Sequence, residues 1–270
     1  MTHTTFRTPA VADRFYPGNP RILARDVEQM TPVMATPRTA HAVVLPHAGY
    51  MYSGSVAGET IAKVHVPETV IILGPNHHGQ GAPLALSTMP WQMPMGVVPI
   101  DTTIASALLQ ESPAITVDEI AHRYEHSLEV QVPFLQARQP NLSIVPLVVS
   151  HISYPFCEEV GAALAKVIKN AGKEVLIVAS SDMTHYESRA AADKKDHYVL
   201  QKLAEMDPAI LYRTVLDYQI SMCGIMPVTI ALIAALALGA TKTELVRYTD
   251  SGTVSGDTSQ VVGYAGVIIS

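Results

Sequence analysis

Four short apolar runs constrain the fold of this chain most: residues 42–45, 69–73, 144–149 and 174–179. Each is continuous rather than alternating. A strand with water on one face alternates apolar and polar residues, whereas a strand covered on both faces does not. These runs therefore predict buried strands in the middle layer of an α/β domain. A fifth run, at residues 261–269, predicts another strand, less continuous in its apolar character. Helical periodicity occupies residues 20–30, 102–110, 126–138, 155–171 and 190–205 between them, and a further helix is expected over 227–238 with Gly239 as its C-cap. Strands that alternate with helices predict a mostly parallel central sheet flanked by helices. Residues 82–100, rich in Pro and Met, read as a hairpin or an irregular excursion. No repeat, low-complexity tract or charged linker divides the chain, so residues 1–270 read as a single domain.

Composition narrows the function classes. With 48% hydrophobic and 16% charged residues, the chain has the material for a large core. A formal net charge of −6, with 18 scattered Lys and Arg, argues against a nucleic-acid partner, which needs clustered positive charge. Residues 1–12 lack the apolar centre of a secretory signal. The longest apolar stretch, residues 225–238, is interrupted by Pro227 and Thr229 and is too short to cross about 30 Å of hydrocarbon. No membrane association is expected. Two cysteines, Cys157 and Cys223, make no disulfide framework, so a reducing cytoplasmic location is expected.

The chemistry sits where the runs end. One ends in Leu45-Pro46-His47-Ala48-Gly49-Tyr50, a second in Leu73-Gly74-Pro75-Asn76-His77-His78, and a third in Ser180-Ser181-Asp182-Met183-Thr184-His185. Ligands of open α/β sheets bind beyond the carboxyl ends of the strands, so three such histidines aim at one region. Neutral imidazole is the commonest metal ligand. Of His77 and His78, one is expected at the metal and the other beside it, because successive side chains of extended backbone diverge. Cys223, just before the apolar helix, reads either as a soft ligand or nucleophile or as a buried structural thiol. Glu125 and Glu129 share a face of the expected helix, with His126 offset from them. That face points either into the crevice or into solvent. Tyr50, Tyr52 and Ser53 read as substrate contacts or as packing.

These same segments carry a resemblance. Pro46-His47-Ala48-Gly49-Tyr50 with Tyr52-Ser53-Gly54, Gly74-Pro75-Asn76-His77-His78, Glu125-His126-Ser127-Leu128-Glu129, Ser180-Ser181-Asp182 with His185, and Cys223-Gly224 resemble the motifs of the Memo family. That family is named for a mediator of cell motility and, in microbes, for protein B of the AmmeMemoRadiSam system. Ala10-Val11-Ala12 with Phe15-Tyr16-Pro17 extends the match, which spans nearly the whole chain in order. The resemblance implies a fold like that of class III extradiol dioxygenases, with His47 and His77 at their two histidine ligands and Cys223 where they use a carboxylate. His185 then matches their acid/base histidine, Asp182 lies beside it, and His126 joins the catalytic set. Tyr50, His78 and Glu129 are expected on the substrate side. Iron(II) is the implied metal, and the thiolate softens the site toward copper or zinc. The implied activity is that of an iron-dependent oxidoreductase acting on a small molecule. The alternative is a metal-carrying or peptide-binding module linked to signalling or to a radical-SAM partner.

Overall fold

A computed structural model describes residues 6–34 and 36–270. Of the segment read as lacking a signal, residues 1–5 lie outside the described residues. The first half of the chain contains α1 (Pro20–Met30), β1 (Ala42–Leu45), α2 (Tyr50–Ala62), β2 (Thr69–Pro75), β3 (Leu84–Leu86), β4 (Trp91–Met93), β5 (Gly96–Val98), α3 (Thr102–Glu111) and β6 (Thr116–Val117). A 3-10 turn (Glu129–Gln131) then leads into α4 (Val132–Arg138), followed by β7 (Ser143–Val149), α5 (Tyr154–Asn170), β8 (Val175–Ser180) and β9 (His185–Glu187). The last part holds α6 (Arg189–Ala204), α7 (Pro208–Asp217), α8 (Ile225–Leu238), β10 (Thr243–Asp250), α9 (Gly252–Ser255) and β11 (Val261–Ile269).

The four continuous apolar runs are the four central strands, which pair in parallel in the order β1-β8-β2-β7. Every residue of β1, β2 and β8 is buried, as strands covered on both faces require. Antiparallel strands extend this block at both sides: β11 and then β10 beside β1, and β3 beside β7, with β6 parallel to β3. The result is a mixed sheet with a parallel heart. Two groups of helices pack on it: α2 with α1 and α4, and α8 with α5 and α7. Both α2 and α8 lie against β1. The expected excursion at 82–100 resolves into β3 and the β4–β5 hairpin. No described helix is long and apolar enough to cross a membrane.

Local chemistry sets the element ends. Asn19 accepts from the backbone N–H groups of Arg21 and Ile22 and Pro20 opens α1, while Gly239, at φ 105°, closes α8 in the left-handed conformation. The helix expected over 126–138 begins only at Val132. Its first residues are engaged elsewhere: Ser127 donates its hydroxyl to the Pro75 carbonyl and its backbone N–H to Glu125. Glu125 and Glu129 therefore share no helix face. Helix α2 is absent from the periodic reading because it carries Gly54 and Gly58 and is buried along most of its length. Gly58 is required there, since a Cβ would run into the backbone carbonyl of Met30 at the end of α1.

Candidate metal centre

His47, His77 and His126 meet at the carboxyl ends of β1 and β2, each offering a ring nitrogen, and these nitrogens lie within 4.8 Å of one another. The rings of His77 and His126 stack with centroids 4.4 Å apart, and His47 stands edge-on to both. Gly74 allows this convergence: any Cβ there would clash with Ser127 and Leu128, forcing the turn that carries Glu125 and His126 away from the end of β2.

The hydrogen bonds fix which nitrogen of His47 and of His77 is free. Ser180 Oγ has one proton, which it gives to the Ser127 carbonyl at 2.6 Å, and it accepts from Gln131 Nε2 at 2.8 Å. Its contact with His47 Nδ1, also 2.8 Å, therefore has the imidazole N–H as donor. The lone pair of His47 is left on Nε2. His77 Nδ1 likewise donates to the Glu125 carboxylate at 2.8 Å, leaving Nε2 of His77 free. Such carboxylate–histidine pairs orient a ligating ring and raise its basicity. Glu125 also accepts the backbone N–H groups of His77 and Ser127 and stands 3.5 Å from His126 Nδ1. Burial works against the Glu125 carboxylate, but the histidines and these N–H donors outweigh it and hold its pKa well below the carboxylate range. Burial, then the neighbouring imidazoles, lowers His47 and takes His126 down to about 3. His47 and His126 are thus neutral, the form that ligates. Three imidazole donors with an oriented outer partner fit a transition metal or zinc, not the oxygen-seeking Mg²⁺ or Ca²⁺.

Cys223 adjoins this cluster at the His47 corner, with Sγ 3.3 Å from His47 Nε2 and accepting the Asp182 backbone N–H at 3.3 Å. Burial, then the Asp182 charge, pushes its thiol well above the usual range. Asp182 itself is raised by burial although its Oδ1 accepts the His47 backbone N–H at 2.7 Å. A cleft of about 530 Å³ opens over the imidazoles, and Asp182 and His185 line it too. His185 donates Nδ1–H to the Ser221 carbonyl at 2.9 Å, so its Nε2 is the free nitrogen.

Three residues expected on the substrate side lie elsewhere. Glu129 is fully buried and occupied: it pairs with Arg7 at 2.6 Å and accepts from Tyr16 Oη and the N–H groups of Ala10 and Val11. It anchors the N-terminal segment. Tyr50 points inward as part of α2 and donates to the Val130 carbonyl at 2.7 Å. His78 faces outward, its Nε2 donating to the Tyr124 carbonyl. The walls are instead Arg14, Phe15, Tyr52, Tyr186 and Tyr264. Phe15 packs on His126 at 4.8 Å. Of these, Tyr52 stood among the sequence candidates; the others come from a turn and from strands β9 and β11, which carry no local signal of the cleft, and only the adjacency of Glu125 to His126 hinted at the orienting carboxylate.

A model of the family described as Memo-like protein matches residues 7–268. A MEMO1 family protein of Methanosarcina barkeri is 39% identical over 97% of this chain and 99% of its own. One from Aquifex aeolicus is 41% identical over 97% of this chain and 98% of its own. Among solved structures, an uncharacterized protein of Escherichia coli K12 matches with a TM-score of 0.57 and 16% identity, covering 86% of this chain and all of that one. That likeness concerns the fold alone.

Proposed function

The chain belongs to the Memo-like family, and on that footing we propose that it is a metal-dependent oxidoreductase acting on a small molecule. His47, His77 and His126 hold the ion, and iron(II) is the metal this reading favours. The observation that carries it is the matched arrangement of the three rings: their ring nitrogens converge within 4.8 Å, with Ser180 and Glu125 fixing the free nitrogens of His47 and His77. Bound iron(II) with open positions supplies a point where oxygen and an oxygen-donor ligand meet. The chain's own residues do the rest. Tyr52, Phe15 and Tyr264 wall the ligand in, and His185, with Nε2 free, accepts a proton from it.

Anaerobic reconstitution with Fe(II), Zn(II) or Cu(I), followed by oxygen-uptake measurements on a panel of vicinal diols, tests this. The proposal expects uptake that needs Fe(II), a diol and His126. Stoichiometric metal without uptake on any diol contradicts the enzymatic part. A second reading rests on Cys223 Sγ, 3.3 Å from His47 Nε2: a thiol beside imidazoles suits copper(I), and the protein then carries metal rather than using it. Tight Cu(I) binding that is lost in Cys223→Ala, without turnover, favours that reading.

A further inference from the structure

We infer that Arg14 is an anion anchor for the ligand of this cleft, which makes that ligand a small aromatic carboxylate. This rests on the cleft being a ligand site, as proposed above, but not on which metal it holds. Arg14 is the one Lys or Arg among the residues lining the cleft, and Asp182, deep in the wall, is the one carboxylate. Arg14 is exposed, and among the described residues no hydrogen bond or ion pair engages its guanidinium. Its segment, however, is tightly built. The buried Glu129 carboxylate takes the N–H groups of Ala10 and Val11 and the Tyr16 hydroxyl, so both ends of the turn over residues 11–16 are tied to one point. Inside the turn, the N–H groups of Arg14 and Phe15 donate to the Val11 carbonyl, and Asp13 sits at φ 62°. A non-glycine residue in that left-handed region persists only where its surroundings over-determine it. Here the Asp13 carboxylate caps Gly18 N–H at 2.7 Å. The carboxylate next to Arg14 is thus engaged with backbone, while Arg14 lines the cleft.

A rigid loop that delivers an unpartnered guanidinium and a phenyl ring to the rim of a ligand cleft selects a ligand with the opposite charge and a flat face. Phe15, Tyr52 and Tyr264 supply the aromatic surface. One guanidinium with no second Lys or Arg in the lining matches a carboxylate, with its two coplanar oxygens, better than a phosphate dianion.

The probes are benzoate, benzyl alcohol and phenyl phosphate, with binding read by NMR titration of wild type, Arg14→Gln and His126→Ala, each as purified and after EDTA treatment. The inference expects benzoate to bind wild type at least about 10-fold tighter than benzyl alcohol, consistent with a charge-assisted hydrogen bond. Arg14→Gln removes that difference with benzyl alcohol unaffected, and His126→Ala preserves it. If the preference vanishes in His126→Ala and survives in Arg14→Gln, the anion sits on the imidazole cluster and the inference falls while the metal reading stands. If the EDTA-treated protein keeps the preference yet no sample takes up metal, the metal reading falls and Arg14 stands. Phenyl phosphate binding as tightly as benzoate, or no probe binding at all, overturns the carboxylate assignment.

Discussion

Glu125 carries the site at the scale of single residues, because one carboxylate holds the ring and the backbone of His77 while facing His126. Replacing such an outer partner costs about 10- to 100-fold in metal affinity. Glu125→Gln is therefore expected to weaken metal binding by about that factor in a chelator-competition titration, with the fold intact by circular dichroism. An unchanged affinity contradicts the orienting role. A second residue, His122, makes a pH prediction away from the cluster. Its Nε2–H donates to the Ala85 carbonyl, its Nδ1 is buried without a partner, and burial takes its pKa down to about 4. The unfolded chain binds that proton near the ordinary value of about 6.5. Between those two values the unfolded state holds more protons, so stability is complete above about 6.5 and is lost as pH falls toward 4. Denaturant unfolding at steps across this window checks the sign, and His122→Gln is expected to flatten the slope. Of the two kinds of residue, the sequence exposes His47 and His77, which follow apolar runs directly, and conceals Glu125, whose role depends on a turn meeting a strand end.

The strand ends and the N-terminal turn make the cleft at the scale of elements. The central strands were legible because burial on both faces leaves a continuous apolar signature, and β1 and β11 begin and end where the runs do. Helix α2 was not, because its Gly-containing sequence is helical through contact with α1 and the sheet rather than through propensity. Nor was the delayed start of α4, which follows from the hydrogen bonds of residues 125–127 to β2 and the residues just beyond it. The expectations at Tyr50, His78 and Glu129 missed for local reasons: Tyr50 turns inward with α2, His78 leaves the strand end toward the Tyr124 carbonyl, and the helical reading of 126–138 hid that Glu129 lies in a buried 3-10 turn. Glu129 belongs to a buried ion pair whose Arg7 guanidinium also lies over the Trp91 ring at 4.1 Å. Removing one member of such a pair strands the other charge and costs about 3–5 kcal/mol. Glu129→Ala is expected to lose stability of that order in urea unfolding and to loosen the Arg14 turn. A loss below about 1 kcal/mol, the range of exposed pairs, contradicts the anchoring role.

For the whole molecule, binding and folding are linked. A ligand that binds the folded chain alone adds about 2.7 kcal/mol of stability at 100 times its Kd. For a domain of this size each kcal/mol moves the melting temperature by about 2–4 °C. Adding metal is expected to raise Tm by roughly 5–10 °C in wild type and to leave His126→Ala nearly unmoved. Equal shifts in both proteins place the metal elsewhere. The central claim, that three imidazoles converge on one ion, is tested most directly by X-ray absorption at the metal edge of the reconstituted protein. The account predicts one ion per chain with multiple imidazole scatterers, and a spectrum and stoichiometry that collapse in His126→Ala. An unchanged metal content and an unchanged imidazole signal in that variant would contradict it.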